Sequence, residues 1–113
     1  MDKLINFFKI LSDETRLRIM ILLYHQELCV CEICGILELS QPKVSKHLAK
    51  LRDMGFVRDD RQEQFIFYHL NLKDPVLKDI VQKIVDNIEN YPVIQRDVKR
   101  IAQKEKFLQL CKR

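Results

Sequence analysis

The chain contains few residues that interrupt regular structure: only two of its 113 residues are glycine and three are proline. Few turns are therefore expected, and long helices should dominate. No apolar run approaches the roughly 20 residues that cross a bilayer, and the N-terminus lacks a signal-peptide pattern. These features indicate a single helical domain of the cytoplasm with no membrane partner.

Signatures of catalysis are also missing from the sequence. We find no glycine-rich phosphate loop, no Ser/His/Asp constellation and no Cys-x-x-Cys pair in a βαβ setting. A thiol oxidoreductase or metal reductase is the alternative from the enzyme class. We expect a binding protein without an organic cofactor.

Apolar residues recur at helical spacing in the first half of the chain. They predict an amphipathic helix over residues 2–10, then a central buried helix over 15–24 with Ser12 as its cap. A short helix is predicted over residues 30–37. Ser40 should cap the next helix, which ends at Gly55 in a left-handed conformation.

The helix after Ser40 has an apolar and a basic face. Its inner face consists of Val44, Leu48 and Leu51, whereas lysines and small polar residues occupy the outer face and its flanks. The net charge of +4 is also concentrated in residues 40–69 and 93–113. This distribution is compatible with a polyanionic partner.

The second half of the chain begins with two short aromatic and β-branched runs, 56–59 and 64–70. They predict a β-hairpin with its tip at 60–63. A long apolar helix should start at Pro75 and stop before Pro92, and an amphipathic helix should cover 93–110. We therefore divide the chain into a domain of residues 1–92 and a basic helical extension of residues 93–113.

Helix, helix, basic helix and hairpin follow one another in the order of a winged helix-turn-helix. The fold class is thus mainly α (α+β), a winged helix-turn-helix with a β-hairpin wing and flanking helices, for which the resemblance described below implies a role in dimerisation. A module used only for protein contacts is the alternative, but the basic outer face favours DNA. The predicted DNA-binding residues are Gln41, Lys43, Ser45, Lys46, His47, Lys50, Arg58 and Arg61.

Three thiols, Cys29, Cys31 and Cys34, lie within six residues directly upstream of the basic helix. Closely spaced cysteines in a reducing compartment more often bind metal or do redox chemistry than form structural bridges. Soft ions select thiolates, and three sulfurs satisfy a trigonal ion such as arsenite. The alternative is that they are small buried hydrophobes. Cys111, alone near the C-terminus, is interpreted as incidental.

The spacing of these thiols limits how one ion can bind them. Cys31 and Cys34 share a helix face, whereas Cys29 would point away from both if the helix included it. Either Cys29 precedes the helix, or binding bends and unwinds the first turn, and we expect the second to contribute. A helix N-terminus should also lower the pKa of these thiols.

Four segments together resemble the ArsR/SmtB repressors, over roughly residues 5–90. They are Leu11-Ser-Asp-Glu-Thr-Arg-Leu-Arg-Ile19, Glu27-Leu-Cys-Val-Cys-Glu32, Leu39-Ser-Gln-Pro-Lys-Val-Ser-Lys-His-Leu-Ala-Lys-Leu-Arg52 and Phe67-Tyr-His-Leu70. The Cys-Val-Cys-x-x-Cys segment most resembles the arsenite-responsive ArsR branch. The usual glycine of the hairpin tip is replaced here by Glu63, which must accept strain or a looser loop.

The resemblance implies a homodimeric repressor of arsenic resistance genes that reads an inverted repeat in double-stranded operator DNA. As(III) or Sb(III) would be the inducer ligand, bound by Cys29, Cys31 and Cys34. Residues 2–10 and 75–90 would form the dimer interface. The alternatives within this fold are a cadmium- or lead-sensing repressor and a thiol-redox sensor in which Cys31 and Cys34 oxidise.

Overall fold

The computed structural model describes residues 2–111 and shows a mainly helical chain with a small antiparallel sheet. The helices are α1 (Asp2–Leu11), α2 (Glu14–His25), α3 (Val30–Leu37), α4 (Gln41–Asp53), α5 (Pro75–Asp86), α6 (Pro92–Arg100) and α7 (Lys104–Cys111). The strands are β1 (Leu28–Cys29), β2 (Val57–Gln62) and β3 (Phe65–Leu70), in the order β1-β3-β2. No helix within residues 2–111 is long and apolar enough to cross a membrane.

Helix α2 is the centre of the core, as its apolar pattern predicts. Ile19, Met20 and Leu22 are fully buried, and the helix packs against α1, α3, α4, α5 and α6. Asp13 caps it, because its carboxylate accepts a hydrogen bond from the Arg16 N–H at 3.0 Å. The prediction of Ser12 as the cap was wrong: the Ser12 hydroxyl instead donates to the Lys9 carbonyl at the end of α1.

The helix-turn-helix consists of α3 and α4, which pack against each other. The turn between them is possible because Glu38 adopts a left-handed conformation, with φ 59°, and its N–H bonds the Cys34 carbonyl. Helix α4 ends as predicted: Gly55 follows its C-terminus with φ +83°.

The hairpin of β2 and β3 forms the wing, and it is longer and tighter than predicted. Pairing continues to Gln62 opposite Phe65, so the turn consists of Glu63 and Gln64 alone. Glu63 has φ 59°, so it accepts the left-handed strain that a tight turn imposes on a residue with a side chain. The predicted four-residue tip at 60–63 was therefore wrong.

The C-terminal third is more broken than the apolar pattern predicts. The helix from Pro75 ends at Asp86, followed by one 3₁₀ turn at Ile88–Asn90. A second 3₁₀ turn at Ile101–Gln103 divides the predicted 93–110 helix into α6 and α7. Helix α6 packs on α2, and α7 packs on α3. Residues 94–101 thereby contribute Ile94, Asp97 and Ile101 to the buried part of the molecule.

Candidate thiol site and nucleic-acid interface

Cys29 lies where the sheet meets the helix-turn-helix. It is the last residue of β1, paired with Phe67 of β3, and it is also the N-cap of α3. Its side chain is buried, with 1% of the residue exposed. Of the two arrangements that the spacing allows, the structure has Cys29 in the lead-in before the helix.

A capping box fixes this junction. The backbone N–H of Cys29 donates to the Glu32 carboxylate at 3.0 Å, and the backbone N–H of Glu32 bonds the Cys29 sulfur. Glu32 is itself buried, with 1% exposed. Sequence reasoning missed its role, although Cys-x-x-Glu has the spacing of a capping box with sulfur in place of the usual hydroxyl.

Burial is the largest influence on the thiol pKa values of Cys29 and Cys34. It raises the pKa of Cys29 to about 11, and the nearby Glu32 carboxylate acts in the same direction. Burial also raises the pKa of Cys34. The expected lowering by the helix N-terminus was therefore wrong, because the loss of hydration outweighs the backbone N–H groups that lower these pKa values. Both thiols are protonated at pH 7.

Cys31, in the first turn of α3, is bonded to Cys111 in a disulfide, with Cα atoms 6.3 Å apart. Cys29 and Cys34 are free thiols. In residues 2–111 no three His, Cys, Asp or Glu side chains are grouped so as to hold a metal ion. The three sulfurs of the predicted site thus share one short segment but are not brought together. The interpretation of Cys111 as incidental missed its contact with this segment, 80 residues away in sequence.

Arginines hold the opposite end of α3. The Arg100 guanidinium donates to the carbonyls of Ile36 at 2.9 Å and Gly35 at 3.0 Å, and Arg18 donates to that of Leu37 at 3.4 Å. These cations satisfy carbonyl groups that a helix leaves unpaired at its C-terminus, where the dipole favours positive charge. Helix α3 is therefore fixed by Glu32 at its start and by α2 and α6 at its end.

Helix α4 presents the predicted basic face. Gln41, Lys43, Lys46 and Lys50 are exposed, and Ser45 and His47 are half-buried along the flank. Val44, Leu48 and Leu51 are fully buried on the other side. Exposed lysines and short polar side chains on one helix face are the residue types that contact phosphates and base edges in the major groove.

His47 lies in a cleft between the start of α2 and α4, together with Asp13, Arg16 and Lys46. Its pKa is lowered, mainly by burial. The imidazole is therefore neutral at pH 7, and it can donate a hydrogen bond to a phosphate or a base without adding a positive charge.

The two predicted arginines of the wing, Arg58 and Arg61, are both exposed on β2. Because side chains alternate along a strand, they lie on opposite faces of the hairpin. Asp59 shares a face with Arg61, and its carboxylate forms an ion pair with the Arg52 guanidinium of α4, with Oδ2 and Nη1 3.3 Å apart. The wing is therefore tied to the basic helix, an attachment that the sequence did not reveal.

The sequence matches one family model and is similar to known regulators. Residues 13–59 match the model of the family described as bacterial regulatory protein, arsR family. The arsenic resistance transcriptional regulator ArsR1 of Pseudomonas putida KT2440 is 43% identical over 98 residues, which cover 85% of this chain and 75% of that protein. The arsenical resistance operon repressor of Escherichia coli K12 is 47% identical over 83 residues, which cover 73% of this chain and 68% of that protein.

Among solved structures, the chain is similar to a homodimeric winged helix-turn-helix DNA-binding domain from Mycobacterium bovis, a possible ArsR-family regulator. The TM-score is 0.64 at 26% identity, and the match covers 80% of this chain and 85% of that one. The predicted fold class, a winged helix-turn-helix, is confirmed.

Proposed function

Because the chain belongs to the ArsR family of bacterial regulatory proteins, we propose that it represses transcription by binding operator DNA as a homodimer. As(III) or Sb(III), bound by Cys29, Cys31 and Cys34, releases it from the operator and so induces arsenic resistance genes. One observation carries the proposal: the helix that bears two of these thiols, α3, packs directly against the basic helix α4.

The homodimer is supported by apolar side chains left uncovered on two helices. Ile5 and Phe8 of α1 are 45% and 48% exposed, and Val76 of α5 is 57% exposed. Both helices pack on α2, and large apolar side chains exposed on helices in this way are typical of an interface. Because a similar solved structure is homodimeric, we expect a second copy of this chain to cover these apolar side chains. A two-fold dimer would place its α4 helices on half-sites roughly 34–36 Å apart.

The donor set fits a trivalent metalloid better than zinc. Three thiols lie in one segment, no histidine is among them, and soft ions prefer sulfur to imidazole or carboxylate. At pH 7 the exchange of As(OH)₃ with three thiols gives As(SR)₃ and three water molecules, without net proton release. The raised pKa values of Cys29 and Cys34 therefore slow the exchange but do not oppose its equilibrium near neutral pH.

Coupling to DNA follows from the position of Cys29. Its sulfur must leave the capping box to converge with Cys31 and Cys34, and this frees the first turn of α3. The same residue pairs with β3 of the wing, and the wing tip is tied to the preceding loop by the Gln62–Glu27 hydrogen bond at 2.8 Å. Ligand binding thus acts on the wing through β3, and on the basic helix α4 through α3, which packs against it. A coupling of a few kcal/mol changes DNA affinity about a hundredfold.

The test is a fluorescence-anisotropy titration of reduced protein with duplexes that carry candidate inverted repeats from its own promoter. We expect tight binding to one of them and about hundredfold weakening by stoichiometric arsenite or antimonite. Cadmium, lead and zinc serve as comparison ions. Release by cadmium or lead but not by arsenite would overturn the metalloid assignment, and no preference for any promoter duplex would overturn repression.

A further inference from the structure

We propose that Cys31 and Cys111 form an oxidation site, in which a hydroperoxide joins the two thiols in a disulfide and thereby removes Cys31 from metalloid binding. The sensor then has two states of its thiols, and only the reduced one responds to the inducer. The consequence for induction rests on the proposed function, whereas the oxidation site itself does not.

Contacts other than the disulfide also hold α7 against α3. Helix α7 lies along α3, with the Phe107 ring so close to Gly35 that an added Cβ there would overlap it. The Arg100 guanidinium lies 5.7 Å from the centre of the same ring while it donates to the Gly35 carbonyl. These contacts position the last turn of α7 over the first turn of α3.

A buried ion pair fixes α6, the helix that precedes α7 in the chain. The Arg18 guanidinium binds the Asp97 carboxylate through two hydrogen bonds, at 2.7 and 3.0 Å, and Asp97 is only 1% exposed. Helix α6 is thereby held on α2. We therefore expect the Cys111 thiol to stay near the Cys31 thiol in the reduced protein, so that the disulfide closes rapidly.

The chemistry requires two steps and one oxidant. Cys111 is exposed, so a hydroperoxide reaches it first. Its sulfur attacks the peroxide oxygen, which gives a sulfenic acid and releases an alcohol, or water from hydrogen peroxide. The Cys31 thiol then attacks the sulfenic sulfur, the disulfide forms and water leaves. The two thiols lose two electrons, and the peroxide bond accepts them.

Oxidation and metalloid binding exclude each other because both consume Cys31. In the oxidised protein only Cys29 and Cys34 remain as free thiols, one fewer than a trigonal ion requires. The disulfide also keeps α7 fastened over the first turn of α3, the turn that ligand binding must open. We expect the oxidised protein to stay on DNA at arsenite concentrations that release the reduced protein.

The oxidation site is tested by peptide mapping after brief treatment with hydrogen peroxide. Digestion with trypsin under non-reducing conditions should join the peptide of residues 19–43 to that of residues 107–112. The link should persist in Cys29→Ser and Cys34→Ser and disappear in Cys31→Ser and Cys111→Ser. Gly35→Ala should reduce its yield without removing a thiol, and Leu110→Ala, an exposed change on the same helix, should not.

Arsenite titrations of the protein on operator DNA then test the consequence. Oxidised wild type should need about tenfold more arsenite or fail to release, while peroxide-treated Cys111→Ser should respond like the reduced protein. A disulfide within residues 19–43, or loss of the arsenite response in reduced Cys111→Ser, would overturn the inference. If reduced wild type ignores arsenite but the 19–43/107–112 link forms, the proposed function fails and the oxidation site stands.

Discussion

Replacing Cys34 with serine should leave operator binding of the reduced protein unchanged and abolish its release by arsenite. The side chain is half-buried on α3, and the cap of that helix uses only its carbonyl, which serine keeps. A hydroxyl is a poor donor to a soft ion, so the trigonal site loses one of its three ligands. Anisotropy should show the expected hundredfold effect of arsenite on DNA affinity reduced to about none.

The reduced Cys111→Ser variant is the matched control, because it removes a thiol outside the proposed ligand set and should release normally. Cys29→Ser offers a second arm. Serine is a preferred N-cap, so the capping box with Glu32 should persist while the sulfur is lost. Weak DNA binding by Cys34→Ser in the absence of arsenite would contradict a purely sensory role for this cysteine.

Replacing Asp97 with alanine should cost about 3–5 kcal/mol of unfolding free energy, because it leaves the buried Arg18 guanidinium without its partner. Arginine keeps its charge in proteins even without a carboxylate partner, so Arg18 cannot escape the cost by deprotonation. Since domains of this kind are stable by only about 5–15 kcal/mol, the variant should be close to unfolding at 37 °C. Urea denaturation under reducing conditions at pH 7 measures the change.

Arg96→Ala is the control for this ion pair. Arg96 also contacts Asp97, at 3.5 Å, but its side chain is 53% exposed, so its loss should cost about 0–1 kcal/mol. Similar costs for the two variants would mean that the Arg18–Asp97 pair does not fasten α6 to α2.

Periodic patterns predicted the helices within residues 2–53 well, because each apolar stripe reflects burial of a continuous face. Asp13, and not Ser12, caps α2. The two residues are adjacent and both residue types can cap a helix, so the sequence pattern alone does not choose between them. The strand at Leu28–Cys29 is too short to show any period. It exists because β3 offers an edge to pair with, which is a tertiary effect.

The thiol segment shows the same limit more sharply. Local spacing identified Cys29, Cys31 and Cys34 as a group and left open where Cys29 would lie. No local pattern could connect Cys31 with Cys111, because their contact depends on the break at Ile101–Gln103 and on the docking of α7. The acidity of Cys29 was mispredicted for a related reason: burial and a carboxylate contact are properties of the fold, not of the sequence neighbourhood.

The central claim is that one metalloid atom is held by the sulfurs of Cys29, Cys31 and Cys34. X-ray absorption at the arsenic edge, recorded on the reduced protein with one equivalent of arsenite, measures the ligands of that atom directly. We expect three sulfur neighbours and no oxygen in the wild type, and one sulfur fewer after Cys34→Ser. An arsenic atom with oxygen ligands only, or an unchanged sulfur shell in that variant, would contradict the account.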